Sequence, residues 1–277
     1  MLNRTLSFFL VMVCSLLSAS SYAEISDSNL NRLMELSGLT KQVTQFPNMI
    51  VAGMAQARQR NPNVTEAAFQ ALSTSAKQAI QPEDILAGIK STLKKSLSEQ
   101  DVSALMKWYE SPTAKAITKA EEDLSTQAAY QNMMKQMPEL LARKDMLAYA
   151  KRIDALTGTT DMALHMQEYT QIAIYSGMMA EMHPDQPLDI APLRAQMDAH
   201  LAQNRAAIEK MIDISYIYAY QNLTPEQRAA YETFNKTPAA RKFNASASTA
   251  MQQGMESAVS KWAGVLARKF KKMDVKH

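Results

Sequence analysis

Residues 97–115 read LSEQDVSALMKWYESPTAK, and residues 223–241 read LTPEQRAAYETFNKTPAAR. The two lines align without a gap at an offset of 126, and both carry the punctuation of helices. Ser98 with Asp101, and Thr224 with Pro225 and Gln227, are N-cap signatures: a side-chain oxygen satisfies a backbone N–H that the first helical turn leaves unpaired. Further on, Ser111-Pro112 and Thr237-Pro238 repeat a cap followed by proline. A helix of about three turns therefore ends there and another begins. Between the caps, the positions apolar in both lines are 97/223, 104/230, 105/231 and 108/234, which predicts one helical face.

The likeness extends upstream. Arg32-Leu33-Met34-Glu35-Leu36-Ser37-Gly38 matches Arg152-Ile153-Asp154-Ala155-Leu156-Thr157-Gly158 at an offset of 120. The difference in offset implies a small insertion in the second copy, placed at His183-Pro184-Asp185-Gln186-Pro187 with Pro192 following. The expected fold is all-α: a leader over residues 1–23, then two diverged multi-helix repeats over 24–142 and 143–277, packed together. Ile212, Ile214, Tyr216, Tyr218 and Tyr220 alternate as a strand would, but their counterparts Ile85, Leu86, Ile89 and Leu93 keep a helical period. Residues 208–221 are thus expected to be helix. Only seven glycines serve 277 residues, while apolar residues make up 47% and charged residues 21%. That composition suits a globular helical chain and fits neither disorder nor a multi-span membrane protein.

The segment Trp108-Tyr109-Glu110-Ser111-Pro112-Thr113-Ala114-Lys115 resembles the aromatic-Tyr-x-Ser-Pro-x-Gly-x motif of exported bacterial proteins catalogued as domain of unknown function 2059. The likeness covers roughly residues 80–140, with Ala114 at the family's usual glycine, and more weakly the second copy. It implies a helical fold and export, and it carries over no activity and no catalytic residue.

The first residues read as a secretion signal, with Arg4 for the basic region, Leu6 to Leu17 for a short apolar run, and Ser21-Tyr22-Ala23 before the cut. The apolar run is shorter than a membrane span requires. Cys14 lies inside it but follows Val13 rather than the small residue that lipoprotein processing prefers. Removal of the leader takes away the only cysteine and lowers the net charge from +3 to +2, so the mature chain can form no disulfide and has no charge excess for nucleic acid. The expected location is the periplasm.

Enzyme motifs are missing: no G-x-S-x-G, no H-E-x-x-H, and glycines too scattered for a phosphate-binding loop. The chain is expected to be no enzyme and to hold no cofactor. Its expected role is a helical binding or interaction protein with a protein partner, supporting an envelope process. The alternative is a carrier of copper or a small apolar ligand, built on Met133, Met134 and Met137, on Met178, Met179 and Met182, or on Met251 and Met255. His165 and Glu168 share a helical face and could join a metal site, although such pairs are common by chance. Val102, Met106 and Tyr109 form a stripe whose counterparts are Arg228, Glu232 and Asn235, read as an outward face with an ion pair between Arg228 and Glu232. The stripe is therefore a candidate contact surface, either for the second unit or for an external partner. Towards the C-terminus, Trp262 and Phe270 lie on an apolar face while Arg268, Lys269, Lys271 and Lys272 supply charge. These six residues are candidates for peripheral contact with an anionic membrane, against docking of the helix on the core. Intact-mass measurement of the exported chain should give a polypeptide beginning at Glu24; a retained leader would refute cleavage after Ala23.

Overall fold

In the computed structural model, residues 25–60, 65–124, 126–182 and 191–274 are described, and the described residues form helices without strands. The first half comprises α1 (Asp27–Leu36), α2 (Leu39–Thr44), α3 (Phe46–Arg60), α4 (Glu66–Ala79), α5 (Pro82–Ser96), α6 (Glu99–Tyr109), α7 (Pro112–Leu124) and α8 (Gln127–Ala142). The second comprises α9 (Lys144–Thr157), α10 (Thr159–Met182), α11 (Ala191–Tyr220), α12 (Pro225–Lys236) and α13 (Pro238–Asp274).

The caps stand where the sequence places them. Ser98 and Asp101 form a reciprocal capping box at the start of α6, and Thr224 and Gln227 form another at the start of α12. Gly38 and Gly158, 120 residues apart, both take left-handed backbone (φ of 76° and 70°), a conformation that costs a Cβ-bearing residue and lets one helix turn into the next. Pro82 separates α4 from α5, whereas the position 126 residues later is Ile208 and α11 runs through unbroken. Ile214, Ile217 and Tyr220 are fully buried at a spacing of three, so the alternating stretch is helical. Of the shared apolar positions, Leu97, Leu105, Leu223 and Phe234 are buried, but Ala104 is exposed, since a methyl group gains little from burial.

Two cores result, and they do not follow the division near residue 142. The first collects α1 to α6 and is completed by Ala240, Phe243, Met255, Val259 and Trp262 of α13. The second is built from Ile117 of α7, Met133 and Leu140 of α8, Ile153 of α9 and Ile214, Ile217 and Tyr220 of α11. The last helix of the second half thus lies along α5, while α7 and α8 of the first half lie against α11. The two cores are further joined by rings. Phe243 meets Tyr109 edge-on, Tyr109 meets Phe234, Phe234 stacks on Trp108 at 4.4 Å, Trp108 lies parallel to Tyr231, and Tyr231 meets Tyr220. Such pairs contribute about 0.5–1.5 kcal/mol each beyond area burial.

Glu121 of α7 closes this series: its Oε1 accepts from the Tyr220 hydroxyl at 2.5 Å and from the Tyr231 hydroxyl at 3.3 Å. The residue as a whole keeps exposed surface, but its carboxyl lies between the two phenols. Desolvation raises its pKa, and the two hydroxyl bonds oppose that rise. The folded state therefore holds the proton more tightly than the unfolded chain. Stability from this group is present below the ordinary value of 4.5 and is lost as pH rises from there through the raised folded value. Replacing Glu121 with Gln keeps an acceptor and removes the charge. Its melting temperature relative to the native chain should climb between pH 4 and pH 7, and a flat difference across that range would refute the assignment.

A close approach of two helices in the first core is at Gly254, where an added Cβ would lie 2.8 Å from Ile85 Cγ2 and 3.4 Å from Ile85 Cα. Ile85 is itself buried and branched, so it has little room to yield. Gly254→Ala gains up to about 1 kcal/mol of helix propensity but forces α13 from α5, an overpacking cost of typically 1–3 kcal/mol. Denaturant unfolding should show net destabilisation; a stabilised variant would mean the two helices separate freely.

Candidate binding pocket

Residues 147, 151, 154 and 155 share one face of α9, and 205, 206, 209, 210 and 213 share one face of α11. Where these faces diverge, with Leu141 of α8 and the first turn of α10 at the ends, they enclose a pocket of about 530 Å³ open to solvent. Gly158 makes the bend that brings α10 to its edge. Asp154 fixes that bend: its Oδ1 accepts from the Thr160 backbone N–H at 2.8 Å and its Oδ2 from the Thr160 hydroxyl at 2.7 Å. Arg205 donates to Asp161 at 2.6 Å and to Glu209 at 3.0 Å, and these partners, Asp161 first, raise its guanidinium pKa. The charges of Asp154, Asp161, Glu209 and Arg205 are thus engaged within the pocket wall.

Asp213 differs. It is only 7% exposed, lines the same pocket, and no hydrogen bond or ion pair from a described residue reaches its carboxylate. Burial pushes its pKa up; the positive charge of Lys151 opposes that, while Asp154 and Glu209 reinforce it. An ionised carboxylate so placed costs stability unless something meets it. Lys151 and Lys210, both exposed, stand at the outer part of the lining. Among the lining charges Asp213 is buried, Asp154 and Glu209 are half-buried, and Asp161, Arg205, Lys151 and Lys210 are exposed, with Leu141 and Leu147 as the half-buried apolar part of the wall.

The sequence did not single out these residues, although a signal was available. At an offset of 120 the counterpart of Asp154 is Met34, and at an offset of 126 the counterpart of Asp213 is Ala87. Both carboxylates are thus polar in one half only.

The stripe selected from the sequence lies elsewhere and is divided. Val102 is 1% exposed in the first core, on a helix packed against α1, so it is a core residue and not a surface one. Met106 is partly buried and, with Asn29 of α1, borders a shallow cleft. Tyr109 belongs to the ring series and touches Phe234 and Phe243 of the second half. The expected outward face of α12 also needs correction. Asn235 is buried, donating to the Tyr231 carbonyl at 3.0 Å and accepting from Asn244 at 3.1 Å. Glu232 pairs with Arg152 of α9 at 3.2 Å and with Lys236 at 2.7 Å, while Arg228 donates to the Leu223 carbonyl. The packing of α9 on α12 brings Arg152 to that carboxylate.

Trp262, a candidate for membrane contact against docking of its helix on the core, is fully buried and donates its indole N–H to Ser75 at 3.2 Å, as docking requires. The hydrophobic gain of a buried indole explains why α13 docks there. Arg268, Lys269, Phe270, Lys271 and Lys272 continue α13, and their side chains lie outside the described residues. Met133, Met251 and Met255 are packed in the two cores. Met179 is half-buried, and the side chains of Met178 and Met182 lie outside the description, as does His183. His165 and Glu168 do approach, at 3.5 Å, but Glu168 also pairs with Arg194 at 3.3 Å, and Arg194 donates to Glu256 at 2.9 Å. Among the described residues no group of three His, Cys, Asp or Glu side chains is placed to hold a metal ion.

Residues 83–143 match the family model of domain of unknown function 2059, described as an uncharacterized protein conserved in bacteria. No curated protein and no solved structure matches the chain. The matched segment runs from α5 through α8, so it includes the Trp108 corner and Glu121 but not the α9–α11 pocket.

Proposed function

We propose that the chain is exported, cut after Ala23 and active in the periplasm as a non-enzymatic binding protein whose ligand enters the α9–α11 pocket. The observation that carries this reading is Asp213: a residue 7% exposed whose carboxylate has no hydrogen bond or ion pair from a described residue and meets solvent only through a cavity large enough for a small molecule. Export is supported by the basic, apolar and small-residue order of residues 4–23, and by a mature sequence free of cysteine. No helix among the described residues is long and apolar enough to cross a membrane. A binding role is favoured over catalysis because Asp154, Asp161, Glu209 and Arg205 are engaged with one another and with Thr160, so among the described residues Asp213 stands without a second free group in the wall to form an acid–base or nucleophile pair with it. A protein partner can then sense the ligand through α11, which runs from the pocket into the second core.

Native mass spectrometry of the chain released by osmotic shock should give the processed mass with a non-covalent adduct, and the adduct should vanish in Asp213→Leu. Retention in the cytoplasm would overturn export. A processed chain that carries no adduct would overturn the binding role.

A further inference from the structure

Resting on the pocket being a binding site, we propose that it takes a small organic cation, a primary ammonium on a short hydrocarbon group, with Asp213 as its counter-charge. The one uncommitted acid of the lining selects this class. Asp213 is the least exposed charge there and has no hydrogen bond or ion pair from a described residue, while Asp154 spends both oxygens on Thr160 and Arg205 is held by Asp161 and Glu209. Lys151 and Lys210 are exposed and lie beyond ion-pair distance of Asp213, so water and salt screen them. An anion drawn inward would leave those solvated lysines to approach a carboxylate that nothing neutralises. A cation moving inward meets that carboxylate and removes its desolvation penalty.

The other walls define the rest of the ligand. A bare divalent ion wants six or more oxygens, or three firm protein ligands plus water, and the described residues offer no such group. An ammonium needs only one carboxylate and a few acceptors. Leu147 and Ala206 supply hydrocarbon contact beside it, so the charge is best carried on an alkyl or aryl chain.

In the first half Ala87, an exposed residue of α5, stands at the position of Asp213, so this carboxylate is no part of the apolar pattern that the two halves share.

Mature protein is titrated with n-butylamine, and with n-butanol and butyrate as neutral and anionic analogues, by calorimetry and thermal melting. Butylamine should bind and, at about tenfold over its Kd, raise the melting temperature by roughly 3–6 °C for a chain of this size; the two analogues should not. Asp213→Asn should lose the butylamine response yet, without ligand, melt no lower than the native chain. An equal response to butanol or butyrate, or a response retained in Asp213→Asn, overturns the cation assignment. A lower melting temperature of unliganded Asp213→Asn overturns it too, because Asp213 would then serve the fold. An adduct in native mass spectrometry with no butylamine binding removes the cation and leaves the pocket a binding site; neither adduct nor binding removes both.

Discussion

The fold depends on one contact, the length of α13 laid along α5. The first core cannot be closed by its own half of the chain, because the helices that follow its ring corner, α7 and α8, are committed to α11. Phe243, Met255, Val259 and Trp262 supply the missing wall from the far end of the sequence. Gly254 permits the approach at Ile85, and the indole of Trp262 finds an acceptor in Ser75, so this long-range contact is close-packed and its buried indole N–H is satisfied. Each half therefore needs the other before either core is complete.

The join is reinforced where two prolines turn the chain. After Tyr109 and after Lys236 the helix ends at a residue before proline, and the aromatic groups just ahead of these corners meet across the molecule. Trp108 on Phe234 forms the centre of the series, with Tyr109 reaching into the first core and Tyr231 towards the second. A carboxylate is tolerated at the end of it because two phenols donate to it. Likewise Arg32 pairs with Glu110 between α1 and α6, and Arg152 with Glu232 between α9 and α12, so equivalent helix pairs are tied by an arginine at the same register and an acid one turn apart. These pairs are solvent-screened, and they fix register more than they add stability.

Against that shared frame, the halves differ in what they bury. The first half closes its α1 and α5 faces with Met34, Ile85 and Ile89. In the second, Met211 and Ser215 stand at the positions of Ile85 and Ile89, and Asp154 and Asp213 line a cavity between α9 and α11. Stability is thus given up locally, in a molecule whose two cores hold enough apolar surface to absorb the loss. The region of family resemblance lies in the other part of the chain, at the ring corner, which is a structural join.

The sequence by itself determined the local structure: the helical class, the caps at Ser98 and Thr224, the corners before Pro112 and Pro238, and the helical state of the Ile-Tyr stretch. These are set by groups within a few residues of one another, through backbone N–H satisfaction, proline geometry and apolar period, all written in linear order. The partner of each face was decided only by tertiary structure. The cover of Val102 and of Trp262 stayed open between the protein itself and something outside it, because an apolar stripe records that it must be covered and not by which helix. Asn235 looked outward because nothing near it in sequence announces that Asn244 will meet its amide. Asp213 looked like an ordinary helix-surface acid, and only the divergence of α9 from α11 leaves it buried without a partner, since whether a charge is solvated depends on chains far away in sequence.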